Sequence, residues 1–295
     1  MNDAVLAGGA ALVGVGVVGP LLNHAIVWWI GWRVVLPPCL GRVPTVAQVG
    51  RPPARCRSCR RALAPAGLPA VPATVMAARC RGCGAGLARG YVVVELVTGA
   101  LFAVTAGVVG WSAALVPLLA LAAGSVAMSA VDLAVMRIPT QFVYATAGLV
   151  TAGLVLAALA DGPVRRLGGA AVGAAAYGGF LLVLHLISPR ALGFGDVRLA
   201  ALVGGVAGWC AWRVEHPVLA PVQGAVNAGL LAGLVGSMVG LVLLLARGRD
   251  HPFPFGPAIA AGGLAVALGM VWRARGAGQG LPNGFQWWQG RPVSS

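Results

Sequence analysis

Two acids stand in strongly patterned surroundings at the edges of apolar segments. Asp132 lies in Val131-Asp132-Leu133-Ala134-Val135-Met136-Arg137-Ile138-Pro139, and Asp196 in Gly193-Phe194-Gly195-Asp196-Val197-Arg198. They are two of only seven acidic residues in the chain of 295. A carboxylate beside lipid costs enough free energy that a functional reason for it is the default expectation. Two aspartates that converge on one water can share a proton, because their repulsion leaves one carboxyl neutral and the other ionised. The ionised group then takes a proton from the water while the neutral one polarises a scissile carbonyl, the acid/base arrangement of aspartic proteases. Each residue also has a plainer use. Asp is a favoured helix N-cap, so Asp196 could cap the helix that follows it, and Asp132 could cap the next span or pair with Arg137. Gly193 and Gly195 allow a tight turn and close backbone approach just before that helix. No HExxH, GxSxG, Cys/His pairing, P-loop or GxGxxG before a helix offers a competing centre.

A second group of chemically distinctive residues precedes the aspartates. Cys56-Arg57-Ser58-Cys59 is followed after twenty residues by Cys80-Arg81-Gly82-Cys83, giving C-x2-C-x20-C-x2-C, the spacing of a zinc ribbon. Two CxxC knuckles place four thiolates tetrahedrally on one Zn²⁺, and such a closed site is structural because no position remains for water. Thiols without metal, disulfides and a different metal are the other readings of the same four residues. Cys39 and Cys210 have no partner at ligand spacing and read as small apolar residues.

The elements that must position these groups are membrane spans. With 59% hydrophobic residues, 9% charged, 45 glycines and a mean hydropathy of +0.87, the composition is that of a polytopic membrane protein. No short apolar run is followed by a small-residue cleavage site, so the first span is expected to stay in the membrane. Eight stretches approach the roughly 20 apolar residues that a spanning helix needs: Ala4–Val35, Tyr91–Val109, Trp111–Val131, Ile138–Leu159, Leu167–Ile187, Val197–Trp212, Pro217–Leu245 and Pro257–Trp272. The first is overlong and is expected to tilt or break near Pro20 and Asn23. The net charge of +14 comes from arginines scattered among apolar spans, without the aromatic interleaving of a nucleic-acid binder. Nine arginines between Pro37 and Gly90 orient the protein with that loop in the cytoplasm. Alternation of spans then puts both patterned aspartates on the cytoplasmic face. The expected fold class is all-α, a polytopic helical bundle of eight spans with a cytoplasmic zinc-ribbon-like loop. Its parts are a first transmembrane segment (1–36), the cysteine loop (37–90), a transmembrane core (91–273) and a Gly/Gln/Pro-rich tail (274–295) too polar to bury a core.

Taken in order, the motifs resemble those of the prepilin peptidases, the type IV leader peptidases, which belong to the GxGD class of membrane aspartyl proteases. Leu21-Leu22-Asn23 is similar to that family's Phe-Leu-Asn segment and is followed by the paired CxxC loop. Arg89-Gly90-Tyr91-Val92-Val93-Val94-Glu95-Leu96 is similar to its Arg-Tyr-Pro-x-x-Glu stretch. Asp132 with Ile138-Pro139, then Gly193-Phe194-Gly195-Asp196-Val197-Arg198, then Pro254-Phe255-Gly256-Pro257 follow in the family's order. The resemblance implies that Asp132 and Asp196 are the catalytic pair, supported by Gly193, Gly195, Arg198 and Pro139. It implies type IV pilin or pseudopilin precursors as partners, cut after a glycine at the cytoplasmic surface of a bacterial inner membrane, with lipid around the enzyme and no nucleic acid. Many members with the cysteine loop also N-methylate the new N-terminus using S-adenosylmethionine, so a second activity and a second cofactor beside structural Zn²⁺ belong to the expectation. The chain departs from the pattern in carrying Arg198 where lysine is common, in lacking proline after Cys56 and before Glu95, and in an Ala/Pro-rich segment between Cys59 and Cys80.

The remaining polar residues carry less information. Glu95 begins the second span near the cysteine loop, where it could anchor an arginine or line a cofactor pocket. Arg137 and Arg198 could tune the aspartates or bind lipid headgroups. His24 and His185 lie in apolar spans without ligand spacing, which favours hydrogen-bonded helix contacts over metal binding. Phe255-Gly256-Pro257 is expected to shape a loop at the active face. A different class of function stays open: a transporter or assembly factor in which the aspartates relay protons or bind a cation. Aspartates near mid-membrane would favour that class, and aspartates at span edges favour the peptidase.

Overall fold

The computed structural model describes residues 3–34, 83, 89–161, 163–189, 192–247 and 254–276. Among these residues every regular element is helical. In chain order they are α1 (Asp3–Val13), a π-helical segment (Gly14–Val18), α2 (Gly19–Val34), α3 (Arg89–Val109), α4 (Leu115–Val135), α5 (Thr140–Asp161), α6 (Arg166–Ile187), α7 (Phe194–Ala211), α8 (Leu219–Arg247) and α9 (Gly256–Gly276). Eight helical stretches among them are long and apolar enough to cross a membrane, and the chain is a multi-pass membrane protein. The cysteine loop expected at Cys56, Cys59 and Cys80, and the tail beyond Gly276, lie outside the described residues.

Two compact units divide the chain, Met1–Val104 and Thr105–Ser295. In the first, the chain stays helical through Pro20 and Asn23, with a π segment just before the proline where a break was expected. Proline has no N–H to bond the preceding turn, and the backbone widens ahead of it, with the Gly19 N–H donating to Gly14 O five residues back. The glycines of this stretch also admit α3. A Cβ at Gly14 would lie 2.8 Å from Gly99 Cα, and one at Gly19 would lie 2.8 Å from Glu95 Cα. In lipid, where apolar burial does not drive helices together, close backbone approach of this kind is a main source of association.

In the second unit α7 is the central helix, packing against α6, α8 and α9. Ten of its residues are buried, including Leu199, Val203, Val206 and Trp209. Its contact with α6 is the most extensive in the unit. Two glycines four residues apart on each helix make it: Gly169 and Gly173 of α6 face Gly208 and Gly204 of α7, and backbone atoms of each helix fill the space a side chain on the other would need. Gly263 of α9 meets Val203 of α7, and Gly262 meets Ala228 and Ala232 of α8 in the same way.

Helix ends decide where the two aspartates sit. The third span, expected to stop at Val131, continues to Val135, so Asp132 occupies the last turn of α4. That helix ends at Met136, which takes the left-handed conformation at φ 53° and donates its N–H to Asp132 O at 2.8 Å. Pro139 cannot continue a helix from α4. It starts the next one instead, its carbonyl accepting from the N–H groups of Phe142 and Val143. The sixth span, expected from Val197, begins at Phe194 and makes Asp196 the third residue of α7.

Candidate active site

Three helix ends in the second unit converge: the C-terminus of α4 with Asp132, the N-terminus of α7 with Asp196, and the N-terminus of α9 with Gly256. Asp132 is 5% exposed. A buried carboxylate requires hydrogen-bond donors, and its Oδ2 accepts from the backbone N–H of Gly256 at 3.1 Å, across 124 residues of sequence. Gly256 opens α9, so this N–H has no acceptor within its own helix. Asp132 thus satisfies the N-terminus of α9, and neither of its plainer sequence-based uses describes the bond it makes. Asp196 is half-buried, and Gly195 beside it sits against Ile138, the residue that also reaches Gly256. Gly193, with extended backbone, takes the N-cap position of α7, so Asp196 is inside the helix and not its N-cap.

Ile138 lies against two of these ends, the starts of α7 and α9. A Cβ added to Gly195 would fall 2.9 Å from Ile138 Cβ, and one added to Gly256 would fall 2.9 Å from Ile138 Cδ1 and 2.8 Å from Asp132 Oδ2. A Cβ on Gly193 would lie 3.3 Å from Asp196 Oδ2. Glycine at 193, 195 and 256 is therefore a matter of room: each position lies against one of the aspartates or against Ile138. Pro139 is buried. Arg198, two residues past Asp196, points to α5, where its Nη1 donates to Thr140 Oγ1 at 2.7 Å. The arrangement is two carboxylates at one end of a helical bundle, that of Asp132 fixed by the Gly256 N–H. It can hold a water between acids and exchange protons with it.

The other candidate residues have surroundings of their own. Glu95 belongs to the first unit, where it is 1% exposed, accepts a hydrogen bond from Asn23 Nδ2 at 3.2 Å, and has Gly19 against its Cγ. Asn23, singled out by sequence, thus has a definite partner. Of the four cysteines expected to be metal ligands, Cys83 is an exposed turn residue and the other three are outside the described residues. His185 is hydrogen-bonded as expected, but to the turn after α6 and not to a helix: its Nδ1 bonds Leu192 O at 2.7 Å. Sequence reasoning met Gly256 and Ile138 only inside longer motifs and passed over Thr140 and Tyr144. Gly256 carried a readable signal as the residue before Pro257, since proline favours the first turn of a helix and marks its start.

Comparison with known proteins adds an independent line. Residues 33–109 match the family model described as Bacterial Peptidase A24 N-terminal domain, and residues 119–245 match the Type IV leader peptidase family. The second match contains both Asp132 and Asp196, and the first contains Glu95 and the four clustered cysteines. The chain is similar to the Prepilin leader peptidase/N-methyltransferase of Myxococcus xanthus (strain DK1622), 33% identical over 239 residues that make up 79% of this chain and 66% of that protein. It is similar to the protein of the same description from Bacillus subtilis (strain 168), 28% identical over 77% of this chain and 86% of the relative. A third, from Neisseria gonorrhoeae, is 28% identical over 82% of this chain and 77% of the relative. The match to the Myxococcus protein spans just under two thirds of its length. No solved structure matches the chain.

Proposed function

Because the chain belongs to the type IV leader peptidase family, we propose that it is a membrane aspartyl endopeptidase that removes the leader of type IV pilin or pseudopilin precursors, with Asp132 and Asp196 as its catalytic pair. The observation that carries this reading is the placement of two carboxylates at converging helix ends, one of them anchored by the Gly256 N–H. The dyad shares one proton. The ionised aspartate accepts a proton from the attacking water as the water's oxygen bonds to the scissile carbonyl carbon, and the neutral aspartate donates its proton to the carbonyl oxygen. Collapse of the tetrahedral intermediate returns that proton and protonates the leaving amine. Gly256 holds one oxygen of Asp132 and leaves the other for proton exchange. The location of both acids in end turns of their helices suits a leader that reaches the membrane surface while the apolar helix behind it stays in lipid. It suits a mid-membrane proton or cation relay poorly.

The arginine-rich segment 37–90 supports a cytoplasmic active face in a bacterial inner membrane. Cys56, Cys59, Cys80 and Cys83 are the residues that would hold zinc. Four thiolates suit this metal in a closed tetrahedral site, where it fixes the loop's fold without taking part in hydrolysis. N-methylation of the new N-terminus with S-adenosylmethionine is the second activity proposed, in keeping with the description of the relatives as N-methyltransferases. Glu95, packed against Gly19 and bonded to Asn23, is assigned to helix packing in the first unit rather than to the methyl donor.

The test is incubation of a prepilin-like precursor with membranes containing the chain, followed by mass analysis of the product's N-terminus. Cleavage after the leader's terminal glycine is the expected result, with the added mass of one methyl group when S-adenosylmethionine is supplied. A precursor left whole across several pilin classes would refute the peptidase reading. A cleaved but unmethylated product would refute the second activity alone.

A further inference from the structure

Phe194, between the two glycines of the Gly193–Asp196 turn, is that turn's one large apolar side chain, and its ring is held on two sides. On the first side stands His185 from the last turn of α6, with ring centroids 5.4 Å apart. The same imidazole bonds Leu192 O at 2.7 Å, and since a carbonyl only accepts, Nδ1 carries the hydrogen. On the second side the guanidinium carbon of Arg198 lies 4.6 Å from the centroid of Phe194 and 5.4 Å from that of Tyr144. Arg198 also donates to Thr140 Oγ1 at 2.7 Å. Thr140 and Tyr144 are four residues apart and so share a face of α5. A continuous series of contacts therefore runs from α6 through Phe194 and Arg198 to the start of α5, directly after Ile138-Pro139.

This series matters because of what else joins the two aspartates. Among the described residues α4, which carries Asp132, has little direct contact with α7, which carries Asp196. Both pack against α9, whose first residue bonds Asp132. On the opposite flank α5 packs well on α4 but touches α7 only sparsely. At the active end the Arg198 bridge reaches α5, and Gly195 sits against Ile138 just ahead of that helix.

We propose that Phe194, Arg198, Thr140 and Tyr144 form a positioning clamp that sets the separation of the two carboxylates from the α5 flank, as Gly256 does from the α9 flank. The clamp rests on the reading of Asp132 and Asp196 as the catalytic pair. Arg198 acts here through geometry: a planar guanidinium can lie against two rings while one nitrogen bonds a hydroxyl. Misplacing a reacting group by about 1 Å costs on the order of 10²-fold in rate, so partial release of the clamp should be read in kcat rather than in substrate binding.

The experiment measures kcat and KM for precursor cleavage by the full-length protein in membranes. The variants are Arg198→Ala, Thr140→Val, the double variant, Phe194→Leu, Thr140→Ser and, in parallel, Asp196→Asn. Arg198→Ala, Thr140→Val and Phe194→Leu should each lower kcat by about tenfold with KM within about twofold. The double variant should be no slower than the slower single one, because both changes open the same clamp. Thr140→Ser, which keeps the hydroxyl, should recover the rate lost in Thr140→Val. Unchanged kcat in Arg198→Ala and Thr140→Val, or losses that simply add, would overturn the clamp. So would a raised KM at full kcat, which would put Arg198 on the substrate. An inactive Asp196→Asn beside fully active clamp variants refutes the clamp alone, whereas an active Asp196→Asn overturns the dyad and the clamp with it.

Discussion

Replacing Gly256 by alanine tests the anchoring of Asp132 with a single methyl group. That methyl would arrive 2.8 Å from Asp132 Oδ2, 3.3 Å from its Cγ and 2.9 Å from Ile138 Cδ1. Ile138 Cδ1 is the free end of a flexible side chain and can rotate away. The carboxylate has less freedom, because its Oδ2 is bonded to the N–H of the same residue 256 at 3.1 Å. Reaching ordinary contact at 3.4 Å moves Asp132 Oδ2 by about 0.6 Å and stretches that bond. Hydrogen bonds to charged groups contribute about 1.5–3 kcal/mol, and a displaced catalytic group loses up to about 10²-fold in rate per ångström. Gly256→Ala should therefore lower kcat for precursor cleavage by roughly 10- to 100-fold while KM changes by no more than about twofold. Overpacking should lower the stability of the folded protein by about 1–3 kcal/mol, visible as a lower unfolding temperature in detergent. Gly148→Ala is the control, since a Cβ there meets nothing within 4 Å. A Gly256→Ala protein that cleaves at the wild-type rate would refute the anchoring of Asp132 by α9, and an equal loss in Gly148→Ala would reduce the effect to a general one.

Two further outcomes follow from parts of the chain remote in sequence from the aspartates. Purified protein should carry zinc at one atom per chain by elemental analysis, and Cys59→Ser or Cys80→Ser should lose it; wild-type protein free of zinc would refute the ribbon reading. Arg275 donates from Nη1 to Gly107 O at 3.1 Å and Val108 O at 2.8 Å, capping the end of α3 beside Gly110 at φ +67°. Arg275→Ala should cost about 1–2 kcal/mol in a denaturation measurement, for an exposed cation at a helix C-terminus with its two bonds, and leave kcat unchanged. An unaltered unfolding midpoint would remove that role.

Much of this architecture was legible because lipid enforces it. A span must supply about 20 apolar residues with their backbone bonds closed internally, and each of the eight stretches read from hydropathy falls on a helix. Their ends were less legible, because ends depend on single-residue geometry. Met136 closes α4 in a left-handed conformation that its side chain does not announce, and it leaves Asp132 inside the helix. The paired glycines Gly169/Gly173 and Gly204/Gly208 were readable as small-xxx-small stripes, but which helix each would face was not. The two aspartates stood out because charge is rare in such a chain. Their anchor did not, since the donor at Gly256 is a backbone N–H, a group that every residue but proline has. Thr140 and Tyr144 were marked only by a four-residue spacing, and their meaning came with Arg198 beside them.

The central claim is that Asp132 and Asp196 share the proton that hydrolysis uses, and replacing each by asparagine tests it most directly. Asparagine keeps the shape and can still accept the Gly256 N–H, but it cannot ionise or share a proton. The measurement is the rate of leader release from a prepilin-like precursor by Asp132→Asn and Asp196→Asn proteins, with protein levels matched in the membrane. Both variants should fall by at least about 10²-fold, the range that general acid–base catalysis supplies. Cleavage near the wild-type rate by either one would contradict the shared-proton mechanism.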